Sequence, residues 1–127
     1  MNDGVTSVMT TAARRVLIVD DNEMASELLG EFLEMSGHVP RLAHSGQAAL
    51  DLAGQELPDV CIVDIVLPDM DGYALAAELR RTAASSLKII ALSGLPKSMR
   101  RGDHSLFDAW LEKPADLDAL ETLMTSI

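Results

Sequence analysis

Short, continuous apolar runs alternate along this chain with longer stretches whose apolar positions recur at helical spacing. The runs Val16-Leu17-Ile18-Val19, Val60-Cys61-Ile62-Val63 and Leu87–Leu92 have no polar alternation, which is the pattern of strands covered on both faces. The first strand is predicted over Arg15–Val19 and is followed by a helix capped by Asp21 or Asn22. Met24, Leu28, Phe32 and Met35 form that helix's expected inner stripe, Glu27, Glu31 and Glu34 its wet face, and Gly37 its stop. A second strand is predicted over Val39–Ala43. Pro40 cannot donate to a ladder, so this strand belongs at an edge. Ser45 caps a second helix reaching about Gln55, and a third strand covers Asp59–Val63. A third helix carries Leu75 and Leu79 inward and Arg80-Arg81 at its end. A fourth strand (Leu87–Leu92), a short fifth (Ala109–Glu112) and a closing helix with Leu117, Leu120 and Met124 on one face complete the order.

Strands alternating with helices predict an α/β fold: one doubly wound, five-stranded parallel sheet. Residues 1–13 are small, polar and aperiodic and are expected to form a flexible tail, leaving 14–127 as one domain. With 127 residues, 48% of them apolar, the chain can bury a real core. A formal charge of -10 argues against nucleic acid as a direct partner, since phosphate recognition needs a basic face. The single cysteine, Cys61, sits inside an apolar run and reads as an inert core thiol. No stretch approaches a membrane span and no signal peptide is evident, so a cytoplasmic protein is expected.

Charged residues fall where the predicted strands leave the sheet: Asp20 and Asp21 after the first, Asp64 after the third, Lys113 after the fifth. Ser93 follows the fourth. In open parallel sheets the ligand crevice lies at the carboxyl ends of the strands, so one edge gathers all five residues. Two like charges about 4 Å apart repel by roughly 4 kcal/mol at an effective dielectric near 20. Three clustered carboxylates therefore call for cations. Lys113 offsets part of the charge, and a hard divalent ion with oxygen ligands, Mg²⁺, suits the remainder. Asp64 is the candidate nucleophile for an aspartyl-phosphate, with Ser93 and Lys113 as donors to phosphoryl oxygens.

Those residues carry a resemblance. Val-Asp20-Asp21-Asn, the strand ending at Asp64, Leu-Pro68-Asp-Met-Asp71-Gly72, Ala-Leu-Ser93-Gly and Lys113-Pro114 resemble the receiver domain of the two-component response-regulator superfamily, from about Arg15 to Met124. The resemblance implies a flavodoxin-like (βα)5 fold with strand order 2-1-3-4-5. It implies that Asp64 accepts a phosphoryl group from a histidine kinase or histidine phosphotransfer protein. Mg²⁺ would be held by Asp20, Asp21, Asp64 and the main-chain carbonyl of Val66. Ser93 and Lys113 would engage the phosphoryl group while Trp110, three residues before the lysine, swings with the switch. Pro114 and Gly72 are supporting positions. The implied phosphodonor docks on the acidic loop around Asp20 and Asn22 and on the first helix. The local texture is similar to receivers of hybrid histidine kinases and of stand-alone regulators. Output is then expected through a downstream protein target or attached kinase domains, with no output segment after the last helix.

The chain departs from the family pattern in three places. Ser93 to Lys113 is about two residues shorter than usual and contains Pro96 and Gly102, so the helix there is expected to be short or irregular. Val66 and Leu95 are apolar where many receivers place polar side chains, which predicts a long-lived phosphoryl group. Trp110 replaces the commoner Tyr or Phe, which predicts either restricted inward rotation or a rotation that requires the helix after the fourth strand to shift. Asp71 reads as a helix cap and Asp69 as solvated. His38, His44 and His104 share no metal-ligand spacing and read as solvated loop residues. Two other functions fit the pattern less well. A Mg²⁺-dependent phosphohydrolase would need an acid two positions after Asp64, where Val66 stands. A docking module that works without phosphorylation would have no need for clustered carboxylates.

Overall fold

The computed structural model describes residues 13–82, 86–94 and 104–126. Five strands, β1 (Arg15–Val19), β2 (Val39–Ala43), β3 (Val60–Asp64), β4 (Lys88–Ser93) and β5 (Ala109–Glu112), form one parallel sheet in the order β2-β1-β3-β4-β5. The described α-helices are α1 (Glu23–Met35), α2 (Gly46–Gln55), α3 (Gly72–Thr82) and α4 (Leu117–Ser126), with a 3₁₀ turn at His104–Leu106. The expected fold class and strand order are those observed. The expected tail lies almost wholly outside the described residues. So do Leu95, Pro96 and Gly102, and with them the short or irregular helix expected after β4.

Each central strand is buried on both faces, and the two-residue period divides its side chains between two cores. Leu17, Val19, Cys61, Val63, Ile89 and Ala91 face α2 and α3, where Ala49, Ala53, Leu75, Ala76 and Leu79 meet them. Val16, Ile18, Val60, Ile62, Ile90 and Leu92 face α1 and α4, against Leu29, Leu33, Leu120 and Met124. Burial pushes the Cys61 thiol up to about 12, so it is an inert core thiol, as expected. β2 lies at the sheet edge and accommodates Pro40.

The inner face of α1 differs from the expectation. Met24, Leu28 and Met35 are exposed, Phe32 is half-buried, and the helix buries Ser26, Leu29, Gly30 and Leu33. Two leucines one turn apart, flanked by small residues, let the helix lie close to the sheet. The neighbouring stripe is apolar yet faces outward. Gly37 does end the helix, with φ +94 and bonds from Gly37 N to Glu34 O and His38 N to Leu33 O.

That turn corrects the reading of His38. Its ring is buried, and Nδ1 accepts a hydrogen bond from Arg14 N at 3.2 Å. His44 is also engaged, its Nε2 lying 3.3 Å from Ser26 Oγ.

Candidate functional site

The parallel register brings four strand ends to one edge. Asp20 leaves β1 with its N–H donating to Ala43 O, Asp64 and Ser93 are the last residues of β3 and β4, and Lys113 follows β5 with its N–H donating to Ser93 O. Asn22, not Asp21, caps α1, its side chain accepting from Ala25 N at 3.0 Å. Asp21 is thereby left exposed at the rim. One carboxylate oxygen from each of Asp20, Asp21 and Asp64 lies within 4.8 Å of the others.

The two buried carboxylates are held differently. Asp64 Oδ1 accepts from Val66 N at 2.9 Å and Oδ2 from Lys113 Nζ at 2.5 Å. Asp20 Oδ1 accepts from Asn22 N at 3.0 Å. Asp20 Oδ2 is buried with no hydrogen-bond donor among the described residues, and its nearest cation, Lys113 Nζ, stands 3.7 Å away. Burial pushes the Asp20 carboxyl above its ordinary range, the Asn22 amide and Lys113 pull it back, and Asp64 raises it further. Desolvation works against the Lys113 charge, but Asp64, then Asp20 and Asp21, more than offset this and raise the lysine. An orphaned buried carboxylate oxygen among three clustered carboxylates is the donor set of a hard cation.

The other expected residues are near, with distinct roles. Ser93 is buried at the end of β4. A side chain at Gly72 would stand 2.6 Å from Asp64 O and 2.7 Å from Ile65 Cα, so only glycine lets the loop return this close beneath Asp64. Pro114 follows a cis peptide bond from Lys113. Val66 is exposed beside Asp64 and pairs with Asp71, whose carboxylate caps α3 at Ala74 N, as expected. Trp110 is half-buried and packs edge-on to Phe107 at 5.2 Å and tilted to Tyr73 at 6.4 Å. Tyr73 and Phe107 meet at 5.4 Å and complete a three-ring cluster.

Three arrangements were missed in the sequence. Asp69 is exposed, as expected, but both its oxygens are bonded: Oδ1 accepts from Gly46 N at 2.8 Å and Oδ2 from Gln47 N at 2.9 Å. Arg80 is more than a charge at a helix end. Its guanidinium donates to Leu106 O, Leu87 O and Asp108, and Asp108 in turn accepts from Ile89 N. On the open side, a cleft of about 430 Å³ runs from Asp20, Asn22 and Lys113 along Leu28, Pro114 and Leu117. Leu28, expected in the core, is exposed and lines that cleft.

The parallel α/β sheet thus gathers clustered carboxylates, a lysine and a serine at its carboxyl edge, where ligands of such sheets lie. Residues 16–125 match the family of response regulator receiver domains, and the chain belongs to that family. It is 34% identical over 131 residues to the sensor histidine kinase AtsR of Burkholderia thailandensis, covering 99% of this chain and 22% of that protein. It is 32% identical over 115 residues to the response regulator MprA of Mycobacterium avium, covering 89% of this chain and 50% of that protein. The chain thus spans half or less of the length of these relatives. Among solved structures it is similar to a CheY-like receiver domain from Methylobacillus flagellatus, with 34% identity, a TM-score of 0.83, and coverage of 91% and 98% of the two chains. The response regulator TrrA from Thermotoga maritima, solved in complex with Mg²⁺-BeF, is 29% identical with a TM-score of 0.78, covering 87% of this chain and 95% of that one. The family is a signalling domain rather than an enzyme acting on an external substrate, and nothing found supports the phosphohydrolase or phosphorylation-independent readings. No helix among the described residues is long and apolar enough to cross a membrane.

Proposed function

We propose that Asp64 is the phosphoacceptor of this receiver domain, taking its phosphoryl group from the phosphohistidine of a histidine kinase or histidine phosphotransfer protein. The observation that carries this reading is the double engagement of Asp64, by Lys113 Nζ at 2.5 Å and Val66 N at 2.9 Å, within a cluster of three carboxylates. Those two donors orient the carboxylate toward the open edge. As its oxygen bonds to phosphorus, the phosphorus–nitrogen bond of the donor breaks and the electron pair returns to the imidazole. Lys113 and the Ser93 hydroxyl then serve the new phosphoryl oxygens, and the Asp64–Lys113 pair loosens as the ammonium follows the added charge.

Asp20, Asp21, Asp64 and the carbonyl of Val66 would hold Mg²⁺. The ion, when bound, would supply charge neutralisation between carboxylates and phosphoryl oxygens. The unsatisfied Asp20 Oδ2 supports that assignment. Trp110, Ser93 and Lys113 form the switch, in which the inward pull on β4 and β5 biases a protein-binding surface. The docking face for the donor is the cleft beside α1. The signal leaves through a downstream protein or through kinase domains of the same polypeptide, as the similarity to AtsR suggests.

Intact mass after incubation with acetyl phosphate tests this reading, with and without Mg²⁺ and beside Asp64→Asn. One added phosphoryl group requiring both Mg²⁺ and Asp64 is expected. Addition that survives Asp64→Asn, or needs no divalent ion, would overturn it.

A further inference from the structure

The loop between β3 and α3 is fastened at its base by main-chain bonds and at its tip by Asp69 and Met70. At its base, Val66 pairs with Asp71, Gly72 N donates to Ile65 O at 2.7 Å, and Val66 N holds Asp64 Oδ1. At its tip, the two Asp69 oxygens take the Gly46 and Gln47 amides, the first two N–H groups of α2. Those donors have no partner inside the helix, and a carboxylate complements the positive end of the helix dipole. Met70 lies flat over Gly46, where a β-carbon would stand 2.5 Å from its Cγ and Sδ. The loop therefore seats on the start of α2 through one carboxylate and one thioether side chain, and a side chain at Gly46 would displace the methionine. Ser45 satisfies a third amide, Ala48 N, through its hydroxyl.

From this geometry we infer that Asp69 is a positioning residue for the cation site, holding the β3–α3 loop so that the Val66 carbonyl is presented in place before the ion arrives. The inference rests on the proposed Mg²⁺ site and adds to it a residue outside the ligand set. A loop already clamped loses little conformational freedom when the ion binds, whereas a released loop must be ordered at the expense of affinity. Groups that orient metal ligands typically change affinity by 10- to 100-fold when removed. Asp69 is exposed and its bonds are to main-chain amides of one helix end, so the lower end of that range, about 10-fold, is expected here.

The test compares four proteins by calorimetric Mg²⁺ titration and by thermal unfolding without metal: wild type, Asp69→Ala, Asp69→Asn and Ser45→Ala. Ser45→Ala removes a capping bond from the same helix end and serves as the control for lost stability alone. The expected result is Mg²⁺ binding about 10-fold weaker in Asp69→Ala, partly restored in Asp69→Asn, and unchanged in Ser45→Ala. Unchanged affinity in Asp69→Ala overturns the inference. Equal weakening in Ser45→Ala overturns it too, because helix capping would then explain the effect. A wild type that binds no Mg²⁺ would instead sink the proposed cation site and this inference with it.

Discussion

Lys113 Nζ and Asp64 Oδ2 lie 2.5 Å apart although 49 residues separate them in the chain. The same ammonium stands 3.7 Å from Asp20 Oδ2, too far for a hydrogen bond. One cation thus serves two buried carboxylates and satisfies only one. Lacking metal, the domain carries an electrostatic debt located at a single oxygen. Burying two carboxylates against one ammonium is weak ground for stability and leaves a place for a second positive charge.

Asp20→Asn should therefore stabilise the metal-free protein by about 1–3 kcal/mol, the usual cost of a buried group left unsatisfied. Mg²⁺ should stabilise wild type much more than the variant. The gain also depends on pH. Asp20 has a raised carboxyl, so as pH falls toward its ordinary value of 3.8 the native protein takes up the proton before the unfolded chain does. Its penalty is relieved over that window, and the advantage of the variant should shrink there. Urea unfolding of both proteins across neutral and acid pH without metal measures this. An advantage that stays constant with pH would contradict it.

Val66 is 72% exposed next to Asp64, the proposed acceptor, and its isopropyl group cannot orient a hydrolytic water. A polar side chain there can hold that water, and positioned proton acceptors or donors contribute on the order of 100-fold or more when ideally placed. Val66→Asn is expected to lose its phosphoryl group several-fold faster than wild type, at the modest end of such effects. The decay of phosphorylated intact mass after removal of the donor gives the rate. Equal lifetimes would refute the expected long-lived state.

The strands and the acidic edge were legible because both arise from local pattern. Val16–Val19 and Val60–Val63 are uninterrupted apolar runs, and polarity resumes where the sheet ends. What escaped was set by the topology. Asp69 meets α2 across 22 and 23 residues, and Arg80 meets Leu106 and Asp108 across 26 and 28. No spacing rule announces a carboxylate that finds a helix end in another crossover unit. The face of α1 was misjudged for a different reason. Met24, Leu28 and Met35 outscore Ser26 and Gly30 in hydrophobicity, yet close packing on the sheet favours the small pair.

Arg80 should prove the costliest polar side chain to remove from the region around β5. Its fork joins α3 to the carbonyls of Leu87 and Leu106 and to Asp108, which itself bonds Ile89 N. Desolvation works against the Asp108 charge, but the Ile89 amide and Arg80 outweigh it and lower the carboxyl. Arg80→Ala strands the two carbonyls and the Asp108 carboxylate together, and a loss of about 2–3 kcal/mol is expected. Arg80→Lys should recover little, since a point charge cannot donate along the same directions. Denaturant unfolding measures both, and recovery to wild-type stability by lysine would argue against the fork.

His38 makes stability depend on pH at the opposite end of the sheet. Burial first, then the charge of Arg14, hold its imidazole below the ordinary value of 6.5. Nδ1 accepts from Arg14 N, a role that only the neutral ring can fill. The ring also borders a cavity of about 180 Å³ between the ends of α1 and α4, where Glu121 is the other ionisable neighbour. As pH falls below 6.5 the unfolded chain binds a proton that the native ring still refuses, so the unfolded state is favoured. This contribution should decline from 6.5 down to the native value of the ring and level off below it. His38→Asn retains an acceptor near the position of Nδ1 and does not titrate, so its stability should lack that slope. Unfolding free energies of both proteins between neutral pH and about 5 provide the comparison, and an identical slope in the two would place the pH dependence elsewhere.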